Sequence, residues 1–376
     1  MEFVFDLKQN VGAPSIPLIH EGEQIQRGQL LAAKPAGALG TYLYSSIDGK
    51  VKSITETQII IEESNTDFQK YIPLKKKLPG ELIEEAGIVG LGGAGFPTSV
   101  KLNADLKGNG TVIVNAAECE PILSHNIARI EQEPEKLLKG LHIIMDLVHA
   151  SKGIIAIKGI HTKAIQALEK NITDEKISIF QLENIYPMGE ERALVRETLG
   201  ILLAPDQLPL AASSIVINAE TVCRIYEAVE LKKPLIDKDM TVAGKLKEDA
   251  SIHILKDVPI GMKVSDVLAK VGGVGPAYGE LIMGGPFTGK RTSLDAPVVK
   301  TTGGIIAAEE FLPAPDKIGL LVCACGANKE RLMEQAASMG SEVVGVEYCK
   351  QAKELRGNRK CENPGRCPGQ VQKVMN

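Results

Sequence analysis

Short apolar runs separated by glycine turns open the chain: residues 19–25, 28–32, 46–51 and 58–61 each read as a strand, predicting a small all-β unit over residues 1–70. Tyr71-Ile72-Pro73 to Pro79-Gly80 reads as a linker, and a short helix over 81–87 leads into a glycine-rich stretch. Residues 111–115 form a β-branched run after a Gly-Asn-Gly turn and predict a buried strand. Then the period changes. Apolar residues at 137, 138, 141, 144, 145 and 148 predict a helix over 137–150. Strands at 153–157, 177–180 and 214–218 alternate with helices at 162–170, 190–199 and 220–231, which predicts a parallel sheet covered on both faces within residues 71–233. Such sheets bind ligands at the carboxyl ends of their strands, where Asn115 and Asn218 stand.

Beyond Lys233-Pro234 the strands shorten to 240–244, 251–255 and 280–286, with one helix at 263–271, predicting a small α+β unit over 234–310. Residues 311–376 read as a strand running into Cys323 and Cys325, a helix over 328–339, a strand over 342–346 and a cysteine-bearing tail. The fold class is therefore multidomain α/β in four units.

Composition narrows the functions. With 44% hydrophobic and 24% charged residues the chain is ordinary globular protein, and a net charge of −4 with interspersed signs argues against nucleic acid as partner. No apolar run reaches the roughly 20 residues of a membrane span, and the first residues lack a signal-peptide pattern, so a cytoplasmic location is expected. Seven cysteines without an export signal point to thiols or metal ligands rather than a disulfide framework.

Gly90, Gly92, Gly93 and Gly95 place four glycines in six residues, a backbone that something flat or phosphorylated can approach closely. Alone this is a weak signal. The segments GIVGLGGAGFPTSVKL, VNAAECEP, YPMGEERAL and INAETVCRI occur in order between residues 87 and 225. Together they resemble the flavin-binding domain shared by RnfC proteins and the 51-kDa NADH-oxidising subunit of respiratory complex I. The RnfC-like resemblance covers roughly residues 10–310. It implies a barrel-sandwich (biotinyl/lipoyl-like) unit at 1–70, a Rossmann-like FMN/NADH domain at 71–233 and a β-grasp, SLBB-like domain at 234–310. In domain order the chain is similar to the RnfC-like type associated with D-proline reductase. Lys50 lacks the setting of a modified carrier lysine, so the first unit is expected to serve as scaffold.

By that resemblance Gly90, Gly92, Gly93, Ala94, Gly95 and Phe96 lie against the flavin, and Lys101 approaches its phosphate or ring edge. Asn115, Glu118 and Glu120 face the ring, Asn218, Glu220 and Thr221 close the phosphate side, and Tyr186, Gly189, Glu190 and Glu191 border NADH. Glycine-turn N–H groups and asparagine amides suit those tasks, and hydride transfer to a flavin needs no protein acid or base. Taken singly, Glu190 and Glu191 at a helix start read as dipole partners, the asparagines as turn formers and Cys119 as a packed thiol. No HExxH spacing supports a catalytic zinc.

RnfC relatives carry paired CxxCxxCxxxCP runs, absent here. Instead Cys323, Cys325, Cys349, Cys361 and Cys367 crowd the last unit. Their density suggests first an iron–sulfur cluster on four of them, second a redox-active Cys323/Cys325 dithiol, third a structural zinc. The expected function is NADH-oxidising, FMN-dependent electron transfer through this cysteine site to a partner reductase such as D-proline reductase, within a complex or homo-oligomer. A non-catalytic adaptor or corrinoid-binding, cobalamin-reductase-type module is the alternative, and a thiol or metal carrier the third.

Overall fold

The computed structural model describes residues 1–247, 252–276, 278–310, 314–325, 329–355 and 357–367. Ser251 and Asn328, which begin two of the expected elements, and the tail past Cys367 lie outside them.

The first unit holds β1 (Glu2–Asp6), β2 (Ile16–Pro17), β3 (Gln24–Ile25), β4 (Leu30–Ala33), β5 (Leu43–Tyr44), β6 (Gly49–Ile54) and β7 (Gln58–Glu63), in two sheets ordered β1-β7-β6-β3 and β2-β4-β5. The strand expected over 19–25 forms only at β3, because Gly22 turns the chain at φ +84. β1 escaped the sequence reading; it pairs with β7 along its whole length.

The second unit begins with α1 (Pro79–Glu85) and the one-turn α2 (Thr98–Lys101), then β8 (Gly110–Ala116), α3 (His125–Gln132), α4 (Pro134–Leu147), β9 (Ala150–Lys158), α5 (Thr162–Asn171), β10 (Ile177–Leu182), α6 (Glu191–Leu199), β11 (Ser214–Asn218) and α7 (Ala219–Glu230). All four strands run parallel in the order β10-β9-β8-β11. The chain winds outward from β8 and then returns to β8's other side as β11, creating a topological switch point between them. α4 sits three residues ahead of its expected position, with Pro134 in its first turn, where a missing N–H costs nothing. It lies so close to α7 that a Cβ on Gly140 would stand 2.2 Å from the Val222 carbonyl oxygen.

The third unit comprises β12 (Asp237–Gly244), β13 (His253–Pro259), α8 (Val264–Ala269), β14 (Glu280–Met283), β15 (Lys290–Arg291) and β16 (Gly304–Ala308), a mixed sheet ordered β13-β12-β16-β14-β15. The strand expected over 280–286 stops at Met283, since Gly284 takes φ +110 and begins a turn. The first and third units share one core: Phe3, Phe5, Ile59 and Ile61 pack with Met240, Val242, Val267 and Ile305. Where all three units meet, the buried Lys300 ammonium donates to Thr41 Oγ1 at 3.2 Å and to the carbonyls of Tyr42 and Gly87 at 2.7 Å each.

The last unit has β17 (Lys317–Val322), α9 (Lys329–Ser338) and β18 (Glu342–Tyr348), the strands parallel, then a hairpin of β19 (Ala352–Leu355) and β20 (Asn358–Cys361). No helix among the described residues is long and apolar enough to cross a membrane.

Candidate functional site

A cavity of about 310 Å³ lies at the switch point, a size typical of small-ligand sites. Its first wall is the glycine stretch, closed on itself by Gly90 N–H to Phe96 O and Gly95 N–H to Gly90 O, both 2.9 Å. The Leu91 N–H donates to Thr221 Oγ1 at 3.1 Å, pinning the loop to α7. Gly92 faces the Asn218 side chain, which an added Cβ would meet at 3.0 Å. Gly93, at φ +99, would send a Cβ into open space inside the cleft. Only glycine adopts that backbone without strain.

Asn218 accepts from the Thr221 N–H at 3.2 Å and caps α7. Asn115 is the last residue but one of β8, and its Nδ2 donates to Gly189 O at 2.9 Å, closing the opposite wall. Glu118 stands at φ +41 and accepts from the Ile127 N–H at 3.1 Å and from Asn126 Nδ2 at 3.3 Å. Glu120 reaches out of the second unit to the third: it accepts from the Phe287 N–H at 2.9 Å and from Thr288 Oγ1 at 2.6 Å. Lys101 reaches across the rim to Glu191.

The other expected residues fall elsewhere. Glu220 turns away from the cleft: its carboxylate is buried against Lys238 and accepts from the Asp239 N–H at 2.8 Å. The helix starts at Ala219, so Glu220 occupies the side of the first turn that faces β12. Glu190 caps α6 through the N–H groups of Arg192 and Ala193. Gly95 backs the loop against Asn10 and Thr301 rather than lining it. Tyr186 stands outside the cavity, its ring edge-on to Phe287 at 4.7 Å.

Five lining residues, Gly284, Gly285, Thr288, Thr301 and Gly303, come from the third unit. The Gly284-Gly285-Pro286 signal was present in sequence but read as strand. His125 and Asn126, also missed, join the wall from the start of α3. His125 Nδ1 faces Thr241 Oγ1 at 3.2 Å and Nε2 faces Asn126 Nδ2 at 3.2 Å, so Nδ1 carries the proton. Burial lowers its pKa to about 4 despite the nearby Glu118 carboxylate. The unfolded chain takes up this proton below about pH 6.5 and the folded protein does not, so stability falls as pH drops toward 4. The expected cost is about 3 kcal/mol. His125→Gln should flatten that segment of the stability–pH curve in urea titrations; an unchanged slope would sink the assignment.

The cleft residues fit a flavin mononucleotide. Among the described residues, a bare glycine backbone, apolar Leu91, Val216 and Ile217, the amides of Asn115, Asn126 and Asn218, and the Lys101 ammonium converge on a single cavity, with Glu118, Glu120 and Glu191 also in its walls.

The five late cysteines gather beyond the ends of β17 and β18. The Cys349 N–H donates to Val322 O at 3.0 Å, placing Cys349 beside Cys323, and Cys361 ends β20 with its carbonyl held by Arg192 at 2.7 Å. The Cys325 thiol is hydrogen-bonded to those of Cys323 and Cys361, which together with burial pushes its pKa above the ordinary cysteine range. Burial, then the charges of Glu120, Cys119, Cys325 and Cys323, push the Tyr186 hydroxyl to about 12. Among the described residues no three His, Cys, Asp or Glu side chains are disposed to hold a metal ion.

Residues 83–227 match the Nuo51 FMN-binding domain and residues 1–69 the RnfC barrel sandwich hybrid domain. One component of the proton-translocating ferredoxin:NAD(+) oxidoreductase complex of Clostridium ljungdahlii is 32% identical over 322 residues, covering 80% of this chain and 69% of that protein. The corresponding component of the Na(+)-translocating complex of Acetobacterium woodii is 31% identical, over 81% and 72%. The cobalamin reductase PduS of Salmonella typhimurium is 38% identical over 62% of this chain, but the match spans only 50% of that protein. The crystal structure of the air-oxidised NAD+-reducing NiFe hydrogenase shares the fold over 61% of this chain, with a TM-score of 0.50 and 21% identity. A parallel sheet carrying the glycine cleft at its switch point, and relatives matched over more than two thirds of their own length, lead to one conclusion: the chain belongs to the RnfC-like family of flavin oxidoreductase and electron-transfer proteins.

Proposed function

We propose that this chain oxidises NADH at an FMN held in the cleft and passes the electrons through its C-terminal thiols to a partner reductase, with D-proline reductase the acceptor to test first. The observation that carries it is the cleft at the switch point, where the glycine loop, Asn115, Asn218 and Lys101 line one cavity. When bound, FMN supplies a hydride acceptor that can release electrons to a second site. Gly92 and Gly93 admit the close approach of a ring, Asn115 and Asn218 fix its orientation, and Lys101 offers positive charge at the rim. The β12–β16 sheet with α8 across it supports a β-grasp reading of 234–310, and the divisions at 70, 233 and 310 belong to the same proposal. So do a cytoplasmic location and assembly into a complex.

Anaerobically purified protein should carry one flavin per chain and bleach on NADH addition. It should then reoxidise on adding D-proline reductase. Protein that binds no flavin from solution overturns the reading. The 38% identity to a cobalamin reductase favours one rival, in which a corrinoid is the acceptor. Reoxidation by cobalamin and not by the reductase would select it.

A further inference from the structure

A second cavity, about 480 Å³, opens in the last unit with Cys325 in its lining. It lies at the carboxyl end of the parallel β17–β18 pair, where α/β sheets present ligand sites. Lys329, Arg331 and Arg359 line it against two carboxylates, Glu330 and Glu354. The Arg359 guanidinium lies 3.8 Å over the Tyr348 ring, and 3.5 Å separate it from Glu354. Arg331 donates to Gly289 O at 2.8 Å, fastening this cavity to the turn that borders the flavin cleft. Half-buried Cys325 lines the cavity together with Val322 and Ala324, and exposed Cys323 stands beside it across the turn at Ala324, the Cys325 thiol being hydrogen-bonded to those of Cys323 and buried Cys361.

We propose that Cys323 and Cys325 form a thiol–disulfide exchange site whose substrate is a disulfide bearing carboxylates, held by the cation-lined cavity. The exposed Cys323 sulfur, as thiolate, attacks one sulfur of the bound disulfide. That S–S bond breaks, one half leaves as a thiol with a proton, and the other half remains on Cys323 as a mixed disulfide. The Cys325 sulfur then attacks Cys323, the second half leaves as a thiol with the Cys325 proton, and a Cys323–Cys325 disulfide remains. Two electrons have passed from the cysteine pair to the substrate. A reduced flavin returns the pair to the dithiol by giving up two electrons and two protons. Only this last step rests on the reading of the cleft, so the exchange itself is testable without flavin.

The test uses full-length protein reduced with a chemical dithiol, freed of it, and exposed to glutathione disulfide, which carries carboxylates, or to cystamine, which carries only amines. Products are read by intact mass and peptide mapping. Wild type should end with the Cys323–Cys325 disulfide, and Cys325→Ser should trap one glutathione on Cys323. Should Cys361 resolve the adduct in that variant, Cys325→Ser with Cys361→Ser restores the trap. Arg359→Gln and Lys329→Gln should each slow the reaction with glutathione disulfide about tenfold and leave that with cystamine unchanged within about twofold. Glutathione spread equally over Cys323 and Cys367, or equal rates with both disulfides, overturns the proposal. An active exchange site in a protein that binds no flavin would refute the cleft reading alone.

Discussion

Asp239→Ala should lower stability to urea by about 3 kcal/mol, the low end of the cost of breaking a buried ion-pair network. Asp239 accepts from Arg129 Nε at 2.7 Å, from Arg224 at 2.9 Å and from the Asp257 N–H at 2.9 Å. Both arginines are buried, and Asp257, Glu133 and Glu227 would remain to share their charge, which is why the larger figures for a fully stranded ion do not apply. Burial alone would raise the carboxyls of Asp239 and Asp257, but the Arg224 and Arg129 guanidiniums outweigh it and hold both well below the usual range. Carboxylates depressed in the fold stabilise it above the unfolded-chain value of about 4, and that stability drains away as pH falls below it. The variant should therefore lose part of the wild type's acid unfolding dependence. A cost under about 1 kcal/mol would show that α3 and α7 hold β12 by packing instead.

Gly93→Val should abolish flavin binding by roughly a thousandfold in Kd, about 4 kcal/mol. Part of that is the cost, about 1–3 kcal/mol for a residue with a Cβ, of returning a loop relaxed in the free protein to φ +99 when the cofactor binds. The rest is occupancy: nothing stands within 4 Å of the position, so the valine side chain fills space that the cofactor needs. Because the loop is exposed at this point, the thermal midpoint of the flavin-free protein should fall by only a few degrees. Flavin fluorescence quenching on titration measures the affinity, and a variant that binds within tenfold of wild type would remove the glycine loop from the site.

Regular elements were legible wherever apolar spacing was strong. β11 appears over the expected residues, and α5 and α9 differ from expectation by a residue or so. α3 was not, because its buried face carries His125, Asn126 and Arg129 with only two isoleucines, so polar residues that serve the cleft and the ion network erase the apolar period. The two-residue strands β2, β3 and β5 are set by partners across the sandwich and leave little local signal.

The sequence by itself determined the parallel sheet, the glycine loop and the asparagines at or next to the strand ends, since each follows from local backbone preference and short-range spacing. It also crowded five cysteines into the last unit. Only the tertiary structure decided that the turn at Gly284 and Gly285 completes the cleft, that Glu220 is spent on Lys238, and that Cys325 lines a second cavity. Those facts depend on contacts between residues 18 to more than 160 positions apart, such as Glu120 with Phe287, and no local pattern encodes which distant carboxylate a lysine or a turn will meet.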